Sequence, residues 1–567
     1  MIRPGDQECS ATPRSGGALL VDCLLAHGIP LWTCVPGESF LPVLDALYER
    51  QSDPGVRLIT ARHEAAAANM AEAAGKLTGT AAVCLVTRGP GATHAGIAVH
   101  TAYQDGTPLI LIVGQVARAH LGRQAFQEMD FSQVFGSSAK SVVTVMDADR
   151  IPEHVAHAVH TAHSGRPGPV VLVVPEDVQS ELTTAAIQVA PRVAVPAIND
   201  SDRARLLTEL NQAQRPILIV GGPGWNQTIG DKVISFAERN SFPVVTAFRW
   251  QDSVDNRSPA YAGYLGLGCS PRLRRHLAQA DLVVAFGPRL DDPTTDGYQM
   301  TEDAARLMLI SQDVSELCRD RVPDVGIHCD LASAAAALGG IELDERPSRR
   351  EWLWTLRAEQ DEFRTCPAGV WSAHDAADFA AVVRHVRAVL PDDAIVTNGA
   401  GNYTVWIQRF FEFRQVGTQL APRNGAMGYG LPAGLAAAAL YPGRTVVAFA
   451  GDGCLLMSGS DLATAVQYGL RLVIIVVNNS MFGTIRMHQE RVYPGRVIAT
   501  ELRNPDFVGY ARSFGALGSL VVKTGDFPGA FAEALAHDGP ALIEIRTDPA
   551  QITPDRRLDD PATRSDA

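Results

Sequence analysis

Two short motifs in the C-terminal third of the 567-residue chain carry residue types suited to metal and phosphate chemistry. The β-branched run Val446–Ala450 leads straight into Gly451-Asp452-Gly453, and the run Leu472–Val477 leads into Asn478-Asn479. Ligands of open α/β sheets bind at the carboxyl ends of the strands, where these motifs would present a carboxylate and a carboxamide. Glycines on both sides of Asp452 let the backbone approach a phosphate closely. Hard oxygens from Asp452 and Asn479, with one backbone carbonyl, form a donor set for Mg²⁺, which takes octahedral oxygen ligation completed by phosphate and water. A bare Gly-Asp-Gly is most often a plain turn and Asn-Asn a strand cap. Their placement on consecutive predicted strand ends is what points to a site.

The elements that must position these residues follow from periodicity. Near-continuous apolar runs at Ala81–Val86, Leu109–Val113, Val170–Val174, Ile217–Val220, Leu282–Phe286, Val446–Ala450 and Leu472–Val477 read as strands buried on both faces of parallel sheets. Ala-rich helical segments lie between them, at Glu64–Leu77, Ile151–His163, Leu431–Ala439 and Ser460–Tyr468. This alternation predicts an α/β chain of three doubly wound parallel-sheet domains. Thr183–Ser201, rich in Ala, Val and Pro, and the charged stretch Leu343–Val370 read as linkers. The expected domains are therefore 12–182, 198–342 and 370–550, followed by a flexible tail at 551–567.

Composition narrows the function class. With 46% hydrophobic and 20% charged residues the chain is ordinary globular protein. Its 49 Lys and Arg against 62 Asp and Glu give a net charge of −13, which argues against general binding to nucleic-acid phosphates. The longest strongly apolar run, Leu472–Val477, is too short to span a bilayer. Nine scattered cysteines without a Cys-x-x-Cys pair read as reduced thiols, and the polar N-terminus shows no signal peptide, so a cytoplasmic protein is expected. No strand opens into Gly-x-Gly-x-x-Gly with an acid about 20 residues on, which argues against a dehydrogenase, and no Walker loop is present.

With these motifs in this order the chain resembles the thiamine diphosphate-dependent enzymes, in particular the acetolactate synthase and pyruvate decarboxylase-like branch. The resemblance covers nearly the whole chain and implies a pyrimidine-binding domain, a central domain and a diphosphate-binding domain. It makes Asp452, Asn479 and the carbonyl of Met481 the Mg²⁺ ligands, with Gly451, Gly453, Phe482, Gly483, Asn402 and Pro36 around the cofactor. It assigns Glu64, in Arg62-His63-Glu64, to a ring nitrogen of the aminopyrimidine. A carboxylate in a dry pocket can share a proton with such a nitrogen. In Asn424-Gly425-Ala426-Met427, the backbone near Gly425 would meet the pyrimidine and Met427 would wedge between the two cofactor rings.

The substrate side is mixed. Gly37, Glu38 and Ser39 follow Pro36 in a loop that borders substrate in the family, and Glu38 follows the decarboxylase pattern. Ala125-Phe126-Gln127-Glu128 and Gln115 follow the acetolactate synthase pattern. Glu64, Gln127 and Glu38 are the expected catalytic residues, and Gly37, Ser39, Gln115, Phe126 and Arg486 the expected substrate contacts. The paired histidines of decarboxylases are missing: His94, His100 and His120 stand singly and read as structural. The tryptophan of biosynthetic acetolactate synthases is absent near His488.

In the central domain, Val220-Gly221-Gly222-Pro223-Gly224 follows a strand and could approach a nucleotide, and Phe286-Gly287-Pro288-Arg289-Leu290-Asp291-Asp292 resembles the segment that holds FAD in acetolactate synthases. However, Pro293 replaces an expected arginine and Leu267–Arg275 diverges, which weighs against FAD and for a spacer role. The resemblance thus implies a carboligase acting on 2-oxo acids and a second carbonyl compound, in a homodimer or homotetramer with shared sites. A decarboxylase, a 2-hydroxy ketone or 2-hydroxyacyl-CoA lyase, and a non-catalytic cofactor-binding homologue are the alternatives.

Overall fold

The computed structural model describes residues 12–558 apart from 54, 192, 300–305, 320 and 366–375. The ends of the second expected linker (366–370) and of the expected tail (559–567), with Cys9 and Cys366, lie outside the described residues. The chain divides into two compact units, Met1–Val193 and Ala194–Ala567.

The first unit is built on six parallel strands: β1 Trp32–Cys34, β2 Leu58–Thr60, β3 Ala82–Val86, β4 Leu109–Gln115, β5 Ser141–Thr144 and β6 Pro169–Pro175, in the order β2-β1-β3-β4-β6-β5. Strands β3, β4 and β6 are buried along their whole length, as their unbroken apolar sequences require. A two-residue antiparallel pairing of Arg14–Ser15 with Leu182–Thr183 ties the start of the unit to its end.

The second unit carries two sheets. One contains β7 Pro216–Val220, β8 Val244–Thr246, β9 Tyr261–Tyr264, β10 Leu282–Phe286, β11 Leu307–Ser311 and β12 Val325–His328, ordered β9-β8-β7-β10-β11-β12. Side chains alternate across it: Leu218 and Val220 of β7 join one core cluster, Ile217 and Ile219 the other. The other sheet contains β13 Ile395–Asn398, β14 Gln419–Leu420, β15 Val446–Gly451, β16 Val473–Asn478, β17 Leu517–Val521 and β18 Ala541–Arg546, ordered β14-β13-β15-β16-β18-β17. All pairings in the three sheets are parallel. The predicted class, three doubly wound α/β domains, is what the chain forms.

Two segments differ from expectation. Much of Leu343–Val370 is not a linker: Pro347–Arg364 is an 18-residue helix whose Trp352 and Leu356 belong to the central core. Arg350, Glu351, Asp361 and Glu362 are exposed while Arg349 is buried, and this charged surface made the segment read as unstructured. Residues 551–557 do not begin a loose tail. Gln551–Thr553 pairs with Arg556–Arg557 in a small antiparallel hairpin, and Ile552 is only 2% exposed.

A polar clamp joins the two sheets of the second unit. Arg249, in left-handed backbone conformation (φ 61°), donates to the carbonyls of Gly399 at 2.9 Å and Pro422 at 2.8 Å. Asp252 Oδ2 accepts from the backbone N–H groups of Gly417, Thr418 and Gln419 at 2.9, 2.9 and 3.1 Å. Among the described residues seven cysteines are free thiols, all buried except Cys318. No helix among them is long and apolar enough to cross a membrane.

Candidate active site

The register of β15 against β16 pairs Gly451 with Val477, so Asp452 and the Asn478-Asn479 pair emerge side by side. The order β14-β13-β15 reverses direction between β13 and β15, and the crevice at such a switch point is where open α/β sheets bind ligands. A cavity of about 260 Å³ lies there. Residues after β13 (Asn402), after β15 (Gly451, Asp452, Gly453) and after β16 (Asn479, Met481, Phe482, Gly483) line it, with Gly425 and Met427. One cavity therefore gathers all of the cofactor residues expected in this unit. Gly453 is required by close packing, since a β-carbon there would lie 2.6 Å from the Phe482 ring. Gly425 holds φ 71°, a conformation that costs glycine nothing.

Asp452 is 2% exposed, and burial holds its carboxyl above the usual carboxylate range despite the Asn504 hydrogen bond that pulls it down. Its Oδ1 accepts from Gly453 N–H at 2.9 Å and its Oδ2 from Asn504 Nδ2 at 2.7 Å. The same Nδ2 donates to Asn478 Oδ1 at 3.0 Å, which leaves Asn504 Oδ1 buried with no partner. A buried carboxylate without a neutralising cation, next to an unpaired amide oxygen, fits a hard divalent cation. Among the described residues, Asn479 Oδ1 accepts from the Met481 N–H, at 3.2 Å. Asn504 carried no signal in the sequence: it lies 52 residues from Asp452 and in no motif. The hairpin residues Gln551 and Ile552, which also line the cavity, were equally silent.

Some expected residues have other tasks. Asn402 Oδ1 accepts from Thr484 Oγ1 at 2.8 Å. Arg486 is tied to Glu490 one turn on, at 2.8 Å, and is not among the cavity-lining residues.

In the first unit, Gly37 and Ser39 follow β1 and pack on Thr87, just after β3, at that sheet's own switch point. Glu64 opens the helix Glu64–Thr78 that follows β2, where the helix dipole favours a carboxylate. Gly37 packs directly on Thr87. Ser39 Oγ shares a 2.9 Å hydrogen bond with Thr87 Oγ1 and has no exposed surface. Gln115 is buried, and its amide bridges Met129 O at 3.0 Å and Val116 N at 2.9 Å. Both polar groups are thus engaged in holding loops. Pro36 and Glu38 are exposed, Glu38 lying 3.5 Å from Arg88. Phe126 is 74% exposed, and Gln127 takes φ 64° while its carbonyl accepts from Gly89 N at 2.9 Å. His94, read as structural, instead lies 2.9 Å from Glu64.

At the switch point of the central sheet the groups are paired within the protein. A β-carbon on Gly222 would sit 2.4 Å from Gly287 O, Arg289 binds Glu316, and Asp291 binds Arg423 at 2.6 Å.

Comparison with known proteins gives the same domain order. Family models described as the thiamine pyrophosphate enzyme N-terminal TPP binding domain, central domain and C-terminal TPP binding domain match residues 14–134, 203–338 and 399–545. The acetolactate synthase large subunit of Parasynechococcus marenigrum is 33% identical, over 94% of this chain and 87% of its own. The acetolactate synthase isozyme 1 large subunit of Escherichia coli is 31% identical, over 94% of each chain. The mitochondrial acetolactate synthase of Schizosaccharomyces pombe is 29% identical, over 96% of this chain and 84% of its own. Three matched domains and a relative above 30% identity across nearly the whole length place the chain in one family: it belongs to the thiamine pyrophosphate-dependent enzymes, among those resembling acetolactate synthase.

Proposed function

We propose that the protein is a Mg²⁺- and thiamine diphosphate-dependent carboligase that takes a 2-oxo acid, releases CO₂ and uses the electron pair left on the acyl carbon to bond it to a second carbonyl compound. The observation that carries the reading is the pair of strand ends bearing Asp452 and Asn479 on one cavity. Bound thiamine diphosphate would supply the electron sink that lets a 2-oxo acid lose CO₂ and its acyl carbon attack a carbonyl. Asp452, Asn479 and the Met481 carbonyl would hold Mg²⁺, and the missing side chains of Gly453 and Gly483 would let the backbone come close to the diphosphate. Met427 would fix the bend between the cofactor rings, and Glu64 would hold a proton at the pyrimidine. Gln127 and Glu38 are the expected further catalytic residues, and Phe126, which is exposed, is a substrate contact in this reading.

Carboligation is favoured over simple decarboxylation by the Ala125–Glu128 segment and by the names of the relatives. Glu64 belongs to one unit and Asp452 to the other, and we read the complete site as shared between two copies in a homodimer or homotetramer. The central domain serves as scaffold without flavin. Incubation with pyruvate, Mg²⁺ and thiamine diphosphate should yield acetolactate. Acetaldehyde without ligated product would replace this reading with a decarboxylase. Flavin absorbance in the purified protein would refute the empty scaffold, and a fully active monomer in sedimentation would refute the shared site.

A further inference from the structure

Glu64 has a partner that the motif does not specify. His94, on the helix Gly89–Asp105, brings Nδ1 to 2.9 Å from Glu64 Oε2. The His63 ring stacks on the His94 ring, with centroids 4.5 Å apart and planes 30° apart. His63 is itself fixed, because its Nδ1 accepts from the Ala65 N–H at 3.1 Å. The other carboxylate oxygen, Oε1, faces Gly91, where a β-carbon would lie 3.4 Å away. The two oxygens are thus in different situations: Oε2 is held by an imidazole, and Oε1 borders a residue without a side chain. Within a single copy of the chain, exposure rises along the pair from 15% for the Glu64 side chain to 52% for His94.

We propose that His94 is a positioning residue and proton relay for Glu64: it fixes Oε2 so that Oε1 is the oxygen presented to the ligand, and it carries protons between solvent and the carboxylate. This rests on the reading of Glu64 as the group that faces the pyrimidine. The relay starts with Glu64 ionised and His94 neutral, its proton on Nδ1. A solvent acid gives a proton to Nε2 while Nδ1 gives its proton to Oε2. One proton enters the imidazole and one leaves, so the ring ends neutral in the other tautomer and Glu64 ends as the neutral acid. The reverse sequence discharges Glu64. An imidazole suits the task because its two nitrogens can accept and donate in one step near neutral pH. Among the described residues, His63, stacked on His94, and Cys84 on β3 are the other titratable groups facing the pair, and burial pushes the Cys84 thiol far up, so that it stays neutral.

The test uses the holoenzyme with His94→Ala, His94→Asn and Glu64→Gln. Two quantities are followed against pH: kcat, and the near-ultraviolet circular dichroism of the bound cofactor's aminopyrimidine. His94→Ala should lower kcat about tenfold or more. Added imidazole should restore part of the loss. His94→Asn should recover part of it too, because a carboxamide still donates to Oε2. In both variants the acid-side change in the dichroism should be displaced. Wild-type kcat and an undisplaced dichroism curve in both His94 variants, with Glu64→Gln abolishing that curve, would overturn the relay and leave Glu64 in place. Unchanged turnover and dichroism in Glu64→Gln would overturn the reading of Glu64 itself.

Discussion

The residue with the least ordinary surroundings in the diphosphate-binding half is Asp452. Its burial disfavours the charged form, and only Asn504 and backbone N–H groups oppose that. The divalent cation proposed for this site would remove the penalty. Asn504 aims the carboxylate through its Nδ2, and groups that orient a metal ligand typically contribute 10–100-fold to metal affinity. Asn504→Ala should therefore weaken Mg²⁺-dependent cofactor binding by about that factor, read by fluorescence titration with and without chelator. Wild-type affinity would show that the Asn504 contact to Asp452 is incidental. Glu64→Gln should instead retain cofactor binding and lower kcat by about 10²–10⁴-fold, the usual contribution of a positioned acid or base.

At the scale of elements, two segments that read as filler are structural. The helix Pro347–Arg364 presents Trp352 to the central core, where its Nε1 donates to Pro216 O at 2.9 Å and its ring meets His276 edge-on at 4.9 Å. Trp352→Ala should destabilise the second unit by about 3–5 kcal/mol, as for other large aromatic truncations in cores, measured by urea unfolding. A loss of only a few tenths would return this helix to the status of a linker. The C-terminal hairpin places Ile552 on the cavity wall and is anchored by Asp555, which pairs with Arg409 at 2.6 Å. Truncation before Gln551 exposes that wall. It should weaken cofactor binding about tenfold, the scale of burying one such side chain.

For the whole molecule, the strand orders carry the organisation. The first and third sheets share one order, in which the second strand lies outside the first and the sixth inside the fifth. The central sheet has the 3-2-1-4-5-6 order of dinucleotide-binding domains. It is more than a spacer, because Arg249 holds the carbonyls of Gly399 and Pro422, just before the cavity residues Ala400, Gly401 and Gly425. Burial pushes the Asp252 carboxyl of the same clamp up to about 6, against the three N–H groups that pull it down. The folded protein thus binds this proton more tightly than the unfolded chain, where the group titrates near 3.8. Its contribution to stability is full below about pH 4 and is lost as pH rises to about 6. Asp252→Asn cannot titrate, so the stability margin of wild type over the variant should shrink between about pH 4 and about pH 7, read from urea midpoints. A margin that grows over this range would mean that the N–H groups outweigh burial.

Fold class and the strand ends that line the cavity were legible in sequence because both are local. A strand buried on both faces must be apolar throughout, as in Val446–Ala450, and close approach of other groups to the backbone requires glycine next to Asp452. The α/β alternation, the place of Glu64 at a helix start and the glycine of the Gly425 turn follow from the same short-range rules. What tertiary structure alone decided was which distant groups meet. Asn504 reaches Asp452 across 52 residues, and His94 reaches Glu64 across 30. Ser39 and Gln115, which a motif presents as free, are consumed by packing on Thr87 and Met129. The charged face of Pro347–Arg364 hid its buried stripe. Local pattern fixes backbone conformation and burial, whereas the partner of a polar side chain depends on how separate elements are docked, and no spacing in the chain encodes that.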